Sequence, residues 1–120
     1  MRMANLTTRE IPVPEGTPST EKAFRDLIED NGHIFEGFVM SNFRGDARYE
    51  YQAESVSVSE INTDGKTGGS ITFEVDVQYF EGCKDKDYLD QQEYTVDFTY
   101  DSESRTLKFE MDETIWNPDN

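Results

Sequence analysis

Cysteine, histidine, tryptophan, long apolar runs and positive charge are all scarce in this chain, and each scarcity closes off a class of function. One cysteine, Cys83, leaves no partner for an intrachain disulfide, which favours a reducing compartment. One histidine, His33, cannot form a histidine-pair metal site. Apolar residues make up 34% of the sequence, and no stretch approaches the roughly 20 apolar residues that span a bilayer. Residues 1–16 hold no apolar stretch of the length a signal peptide carries, so the expected location is cytoplasmic. Asn5-Leu6-Thr7 has the form of a glycosylation acceptor, which means nothing without a secretory route. Gly68-Gly69 opens a strand with no helix behind it, so no phosphate-binding loop is read there.

Bases are the scarcest group relative to their opposites. There are 11 Lys and Arg against 26 Asp and Glu, a formal net charge of −15. Such a field repels nucleic acid and anionic lipid and attracts basic proteins. Two accounts of it stay open on sequence alone. The acidity is either part of a binding surface, or a solvent adaptation of the kind that salty habitats and solubility favour.

What the chain does have is aromatic and ordered. Eight Phe, six Tyr and one Trp fall in patterned runs, and 120 residues suit one domain with its own core. Residues 1–16 read as an extended arm, with Pro12, Pro14 and Gly16 interrupting it and room for a short edge strand over Leu6–Val13. The domain proper then runs over 17–120. Thr17 and Pro18 predict a helix start, Ala23, Phe24, Leu27 and Ile28 form one apolar stripe, and Asn31-Gly32 predicts a left-handed stop. The helix is therefore expected over about residues 18–31.

Beyond Gly32 the pattern reads as strand. Ile71, Phe73, Val75, Val77 and Tyr79 alternate with Thr72, Glu74, Asp76 and Gln78. Tyr94, Val96, Phe98 and Tyr100 repeat the alternation, and Leu107, Phe109 and Met111 repeat it again. A period of two with one apolar and one polar face marks antiparallel strands wet on one side. Asp101–Ser104 has hairpin length, and Asn62–Lys66 with Gly68-Gly69 turns the chain. Residues 81–92 read as a charged surface link. Ile34–Phe43 is apolar on both phases and reads as a central or bent strand. Tyr49, Tyr51 and Ala53 fall out of phase with Val56 and Val58, so a bulge near Glu54–Ser55 is expected. The fold class expected is α+β: one N-terminal helix packed against a curled antiparallel sheet of four to five strands, each covering the other's apolar face. This resembles the layout of cystatin-like folds.

The strands also place charge. If the three late strands are neighbours, Glu74, Asp76, Glu93, Asp97, Glu110 and Asp112 share the wet face, with Lys108 the one base among them. Carboxylates two residues apart lie about 6.5–7 Å from each other and adjacent strands about 4.8 Å apart, a regular array of negative charge. Like charges opposed across strands are destabilising. Yet the outer face of any wet sheet in so acidic a protein will be acidic. Five of these, Glu74, Asp76, Asp97, Glu110 and Asp112, are the candidate partner-binding residues. A second candidate is a hollow between helix and sheet lined by Phe24, Tyr49, Tyr51, Phe73, Tyr94 and Phe98, suited to a small ligand or an enzyme's substrate.

Other motifs carry less. Asp85, Asp87, Asp90 and Glu93 are spaced like parts of a calcium loop, but Leu89, Asp90 and Val96 occupy the positions of an oxygen ligand, the invariant glycine and the closing glutamate. Lys84 and Lys86 follow Cys83 closely and favour its thiolate, with no sequence link to His33. Trp116 sits in a polar tail, where it closes a core end or makes a contact. Gln78-Tyr-Phe-Glu-Gly82 resembles the Gln-x-Val-x-Gly hairpin of cystatin protease inhibitors, and Trp116 near Pro118 resembles their second hairpin. The likeness covers those residues alone; the first motif follows a later strand than in cystatins, and Trp116-Asn-Pro118 reverses the terminal order.

The expectation is thus a binding protein rather than an enzyme, with no cofactor, no metal and no catalytic residues. Its acidic sheet face would meet a basic protein, in the sharpest form as a nucleic-acid-mimicking inhibitor, with no direct contact to nucleic acid or membrane. The alternatives are a pocket that binds a small ligand, and a domain whose acidity is salt adaptation.

Overall fold

A computed structural model describes residues 6–43, 48–81 and 86–113. The strands are β1 (Leu6–Pro12), β2 (Tyr49–Tyr51), β3 (Ser57–Thr63), β4 (Gly68–Glu81), β5 (Lys86–Asp101) and β6 (Thr106–Asp112). The α-helices are α1 (Glu21–Asp30) and the short α2 (Glu36–Met40). All strands join one antiparallel sheet in the order β1-β6-β5-β4-β2, with β3 also on β4. The sheet curls as an open half-barrel with the helices on its concave side, the α+β layout expected, with a second helix added.

The N-terminal stretch is part of this sheet. β1 pairs with β6 from Leu6↔Asp112 to Pro12↔Thr106, and Ile11 and Val13 are buried. Pro12 is tolerated because β1 is an edge.

α1 begins three residues later than the Thr17-Pro18 signal predicts. Thr17 is used instead in a turn, its N–H donating to Pro14 O at 3.1 Å. Thr20 is the cap, its Oγ1 accepting from Ala23 N at 3.2 Å. The predicted left-handed stop is absent: Asn31 has φ −116°, and its Nδ2 caps the helix by donating to Leu27 O at 2.8 Å. Gly32 is needed there for space, since a Cβ would stand 2.4 Å from Ala53 O.

Ile34–Phe43 is not a strand. A 3-10 turn over Gly32–Phe35 leads into α2, and a second 3-10 turn follows over Ser41–Phe43. The misreading has a simple cause. Ile34, Phe35, Phe38 and Val39 recur at i, i+1, i+4 and i+5, a helical stripe too short to be told from a strand apolar on both phases. Ile34, Phe35, Val39 and Met40 are buried, and Phe35 stacks on Phe73 at 4.5 Å and meets Phe109 edge-on at 5.4 Å.

The phase break near residue 54 is resolved differently from a bulge. A 3-10 turn over Ala53–Ser55 separates β2 from β3, so both strands turn an apolar set inward against β4. Ser55 Oγ accepts from Asp76 N at 2.8 Å, and Gln52 N donates to Asp76 O at 3.1 Å, which keeps the β4 backbone satisfied across the gap. The actual bulge lies between Val58 and Glu60.

The 81–92 link is also shorter than expected. β4 continues to Glu81 and β5 starts at Lys86, so most of this stretch is strand. Its alternation is weak because residues 88–92 are exposed or half-buried, and side chains outside the core gain nothing from being apolar on one phase. The 62–69 turn is as predicted. Asp64 Oδ1 accepts from the N–H groups of Lys66 and Thr67, both at 2.8 Å, and Gly68 enters β4 at φ +137°, where a Cβ would stand 2.3 Å from Phe98 O.

Candidate functional site

Register decides which carboxylates meet. In β4 and β5 the pairs Glu74↔Glu93, Asp76↔Gln91 and Ser70↔Asp97 lie on the convex face, as do Lys108, Glu110 and Asp112 of β6. The expected neighbours are therefore neighbours, on one face of one sheet. Their opposition is less costly than a pure carboxylate array would be. Among these pairs, only Glu74 and Glu93 oppose like charges. Asp76 faces Gln91, Asp97 faces Ser70, Glu110 faces Thr8 and Asp112 faces Leu6. Thr72 and Thr95 share a hydroxyl hydrogen bond at 2.9 Å between the charged rows, and Gln91 Nε2 donates to Glu74 Oε2 at 3.3 Å. Neutral residues interleaved at these positions remove most of the cross-strand repulsion.

The face is not one continuous ladder. β5 pairs with β6 over Thr99–Asp101 against 106–108, and a groove of about 340 Å³ lies beside this junction, lined by Thr8, Asp97, Phe98, Thr99, Lys108 and Glu110. Asp97 and Glu110 thus stand at a groove backed by the buried Phe98. Glu74, Asp76 and Glu93 form a second group along the hairpin, and Asp112 lies at the β1 edge. The sequence places these residues on one face but does not reveal the groove, because it arises where two strands part. Lys108 holds its neighbours loosely, with Nζ 3.8 Å from Asp101 and 3.9 Å from Glu10. Contacts of that length on a wet surface contribute little.

Two other carboxylates do a different job. The Thr67 hydroxyl and then the backbone N–H groups of Thr67 and Lys66 hold the Asp64 carboxyl well below the usual range. Asp101 is lowered likewise, first by Ser104 and Glu103 N–H groups. These are turn residues whose charge is used inside the fold.

The residues proposed to line a hollow are distributed over the concave side. Phe24, Phe73 and Phe98 are buried, while Tyr49, Tyr51 and Tyr94 are half-buried against the core. Phe73 meets Tyr94 at 5.8 Å, Phe98 meets Phe109 at 5.5 Å, and Phe24 meets Tyr100 at 5.2 Å. Tyr49 belongs to another group, between Phe43 at 4.5 Å and Tyr79 at 5.0 Å. Between helix and sheet, Phe35 fills the centre and Phe38 lies edge-on to Tyr94. The Tyr51 hydroxyl donates to Gly32 O at 2.5 Å, and burial, then the Glu36 charge, pushes its pKa up.

His33 is exposed beside an open cleft with Glu29, Asp30 and Glu54. No group of three His, Cys, Asp or Glu suited to a metal ion exists among the described residues. Asp87, Asp90 and Glu93 of the calcium-like spacing stand in β5, and Gln78–Glu81 of the cystatin-like motif in β4. Asp85, Cys83, Gly82 and Trp116 lie outside the described residues. No described helix is long and apolar enough to cross a membrane. Comparison with known proteins finds no matching family model, no matching curated protein and no matching solved structure.

Proposed function

We propose that this protein is a binding module that presents its convex, carboxylate-bearing sheet face to a basic protein. The observation that carries the reading is the placement of Glu74, Asp76, Glu93, Asp97, Glu110 and Asp112 on one face, with most cross-strand partners neutral. Glu74 and Asp76 in β4, and Glu110 and Asp112 in β6, each stand two residues apart, about 6.5–7 Å along the strand, short rows of anions that resemble part of a phosphodiester chain. A nucleic-acid-binding protein would meet on this face the charge it meets on its ligand, and the module would then act as its competitor. Association steered by such a field is fast at low ionic strength and weakens as salt rises.

The test is a capture experiment in a matched lysate at low salt. Wild type would be compared with a variant carrying Gln or Asn at Glu74, Asp76, Asp97 and Glu110. A basic protein retained by wild type and lost with the variant supports the reading. Equal capture by both, or by neither, overturns it and leaves solvent adaptation or a small-ligand pocket.

A further inference from the structure

The convex face changes character toward the end of the β4–β5 hairpin where β4 finishes and β5 begins. Reading outward along β4, the convex residues are Glu74, Asp76, Gln78 and Phe80; along β5 they are Glu93, Gln91 and Leu89, followed by Asp87, which pairs with Phe80. As far as Phe80 and Leu89, both strands run acid, amide, apolar in the same direction. Phe80 and Leu89 are 60% and 59% exposed, and the register Gln78↔Leu89 and Phe80↔Asp87 makes them diagonal neighbours. On the opposite side of the same hairpin end the rings are partnered: Tyr88 stacks on Tyr79 at 5.0 Å, and the Arg48 guanidinium lies 5.6 Å from the Tyr79 ring. Phe80 has no ring partner among the described residues, although its backbone is held by donation to Arg48 O at 2.8 Å. An apolar pair held outward on a fixed backbone is the kind of surface that gives an interface its residence time.

Resting on the proposed function, we infer that Phe80 and Leu89 form the apolar anchor of the same interface, and that its occupant is an extended basic segment of a partner protein carrying a large apolar residue beside its cations. Charge complementarity selects this occupant. A second copy of the chain would bring a net charge of −15 against the same sign, and an anionic lipid surface would be repelled equally. The spacing sets the segment's pattern. Four residues separate Phe80 from Asp76 and Leu89 from Glu93, about 13 Å at the rise of a strand. A matching segment has Lys or Arg at every second residue and an aromatic or aliphatic side chain four residues beyond the last of them. The neutral amides Gln78 and Gln91 lie under the gap. Carboxylates then govern the rate of encounter and the salt dependence, and the Phe80–Leu89 pair governs dissociation.

The probes are two labelled peptides of equal charge, alternating Lys with Thr, which differ only in Trp or Thr at the anchor position. Fluorescence anisotropy with wild type should show the Trp peptide bound about tenfold more tightly, a difference of about 1.4 kcal/mol. In Phe80→Ser/Leu89→Thr that preference should fall to within about twofold, with the salt dependence of both peptides unchanged. In Glu74→Gln/Asp76→Asn/Glu93→Gln the salt dependence should weaken while the preference persists. Equal affinity of the two peptides for wild type, or a preference that survives loss of Phe80 and Leu89, overturns the anchor while leaving the acidic face standing. Binding of neither peptide, or binding indifferent to salt and to the carboxylates, overturns both. Phe80-dependent binding to neutral phosphatidylcholine vesicles, or a Phe80-dependent dimer in sedimentation, replaces the inferred occupant and counts against it.

Discussion

The two faces of the same strands have been shaped by opposite demands. On the concave side of β4, Phe73, Val75 and Val77 are at most 1% exposed and pack against Phe35 and the rest of the core. On the convex side, one residue away along the same backbone, Thr72 and Glu74 meet Thr95 and Gln91 of β5 through hydrogen bonds between exposed groups. Burial makes the concave set difficult to change, because interiors are close-packed and a lost methylene leaves a cavity. Nothing comparable constrains the convex set. Where Glu74 faces Glu93, the acidity acts against stability.

The largest effect expected from breaking this contrast is on the concave side. Phe35→Ala should cost about 3–5 kcal/mol, because it empties the centre of the ring cluster. Urea unfolding should show a lower midpoint with an unchanged slope, and a loss below about 1 kcal/mol would mean that Phe35 is not the centre of the core. Next comes the seam where α2 meets the last strand. Glu113 is 3% exposed and takes both a 2.7 Å and a 3.0 Å hydrogen bond from Arg9, while a Cβ on Gly37 would stand 2.3 Å from its Oε1. Gly37→Ala should therefore cost about 1–3 kcal/mol by overpacking. The cost should shrink in a Glu113→Ala background, since the two changes share one contact.

Smaller effects separate the acids of the turns from those of the face. Glu93→Gln should stabilise the protein by about 0.2–1 kcal/mol at low salt, with the gain fading as salt screens Glu74. Destabilisation instead would show that Glu93 serves the fold. Asp64 should behave in the opposite way. Its folded pKa is depressed, so its contribution is present above the unfolded value of about 3.9 and is lost as pH falls through and below it. The stability difference between wild type and Asp64→Asn, measured by urea unfolding at pH 7, 5 and below 4, should favour wild type equally at the two upper values and narrow progressively below pH 4. A difference independent of pH would rule out a role for the carboxylate charge in that turn.

Much of the fold was legible where a pattern ran long enough. The alternation of β4 and β6, the stripe Phe24–Ile28 and the turn at Asp64 all formed as their residues predict. Short or half-covered segments were not legible. α2 has five residues, and its stripe also fits a strand. Residues 88–92, near the start of β5, are exposed or half-buried on both phases, so no burial pattern marks them as strand. The candidate face was legible as a set of phases, while its groove and its neutral pairings were not. Phe80 breaks the inward phase of β4 directly after Tyr79, and that break was the one sequence signal of the exposed apolar end.

The sequence by itself determined the class of fold, the alternation that gives each long strand one apolar and one charged face, and the negative charge of the convex side. Those follow from local periodicity and composition, which every residue carries with it. Only the tertiary structure decided which strands became neighbours, that Glu74 faces Glu93 while Asp76 faces Gln91, and that Asp97 and Glu110 flank a groove beside the β5–β6 junction. It also decided that Phe80 and Leu89 lie side by side at one end of the acidic face. Register and strand divergence are set by contacts between residues far apart in the chain, and no local pattern encodes them.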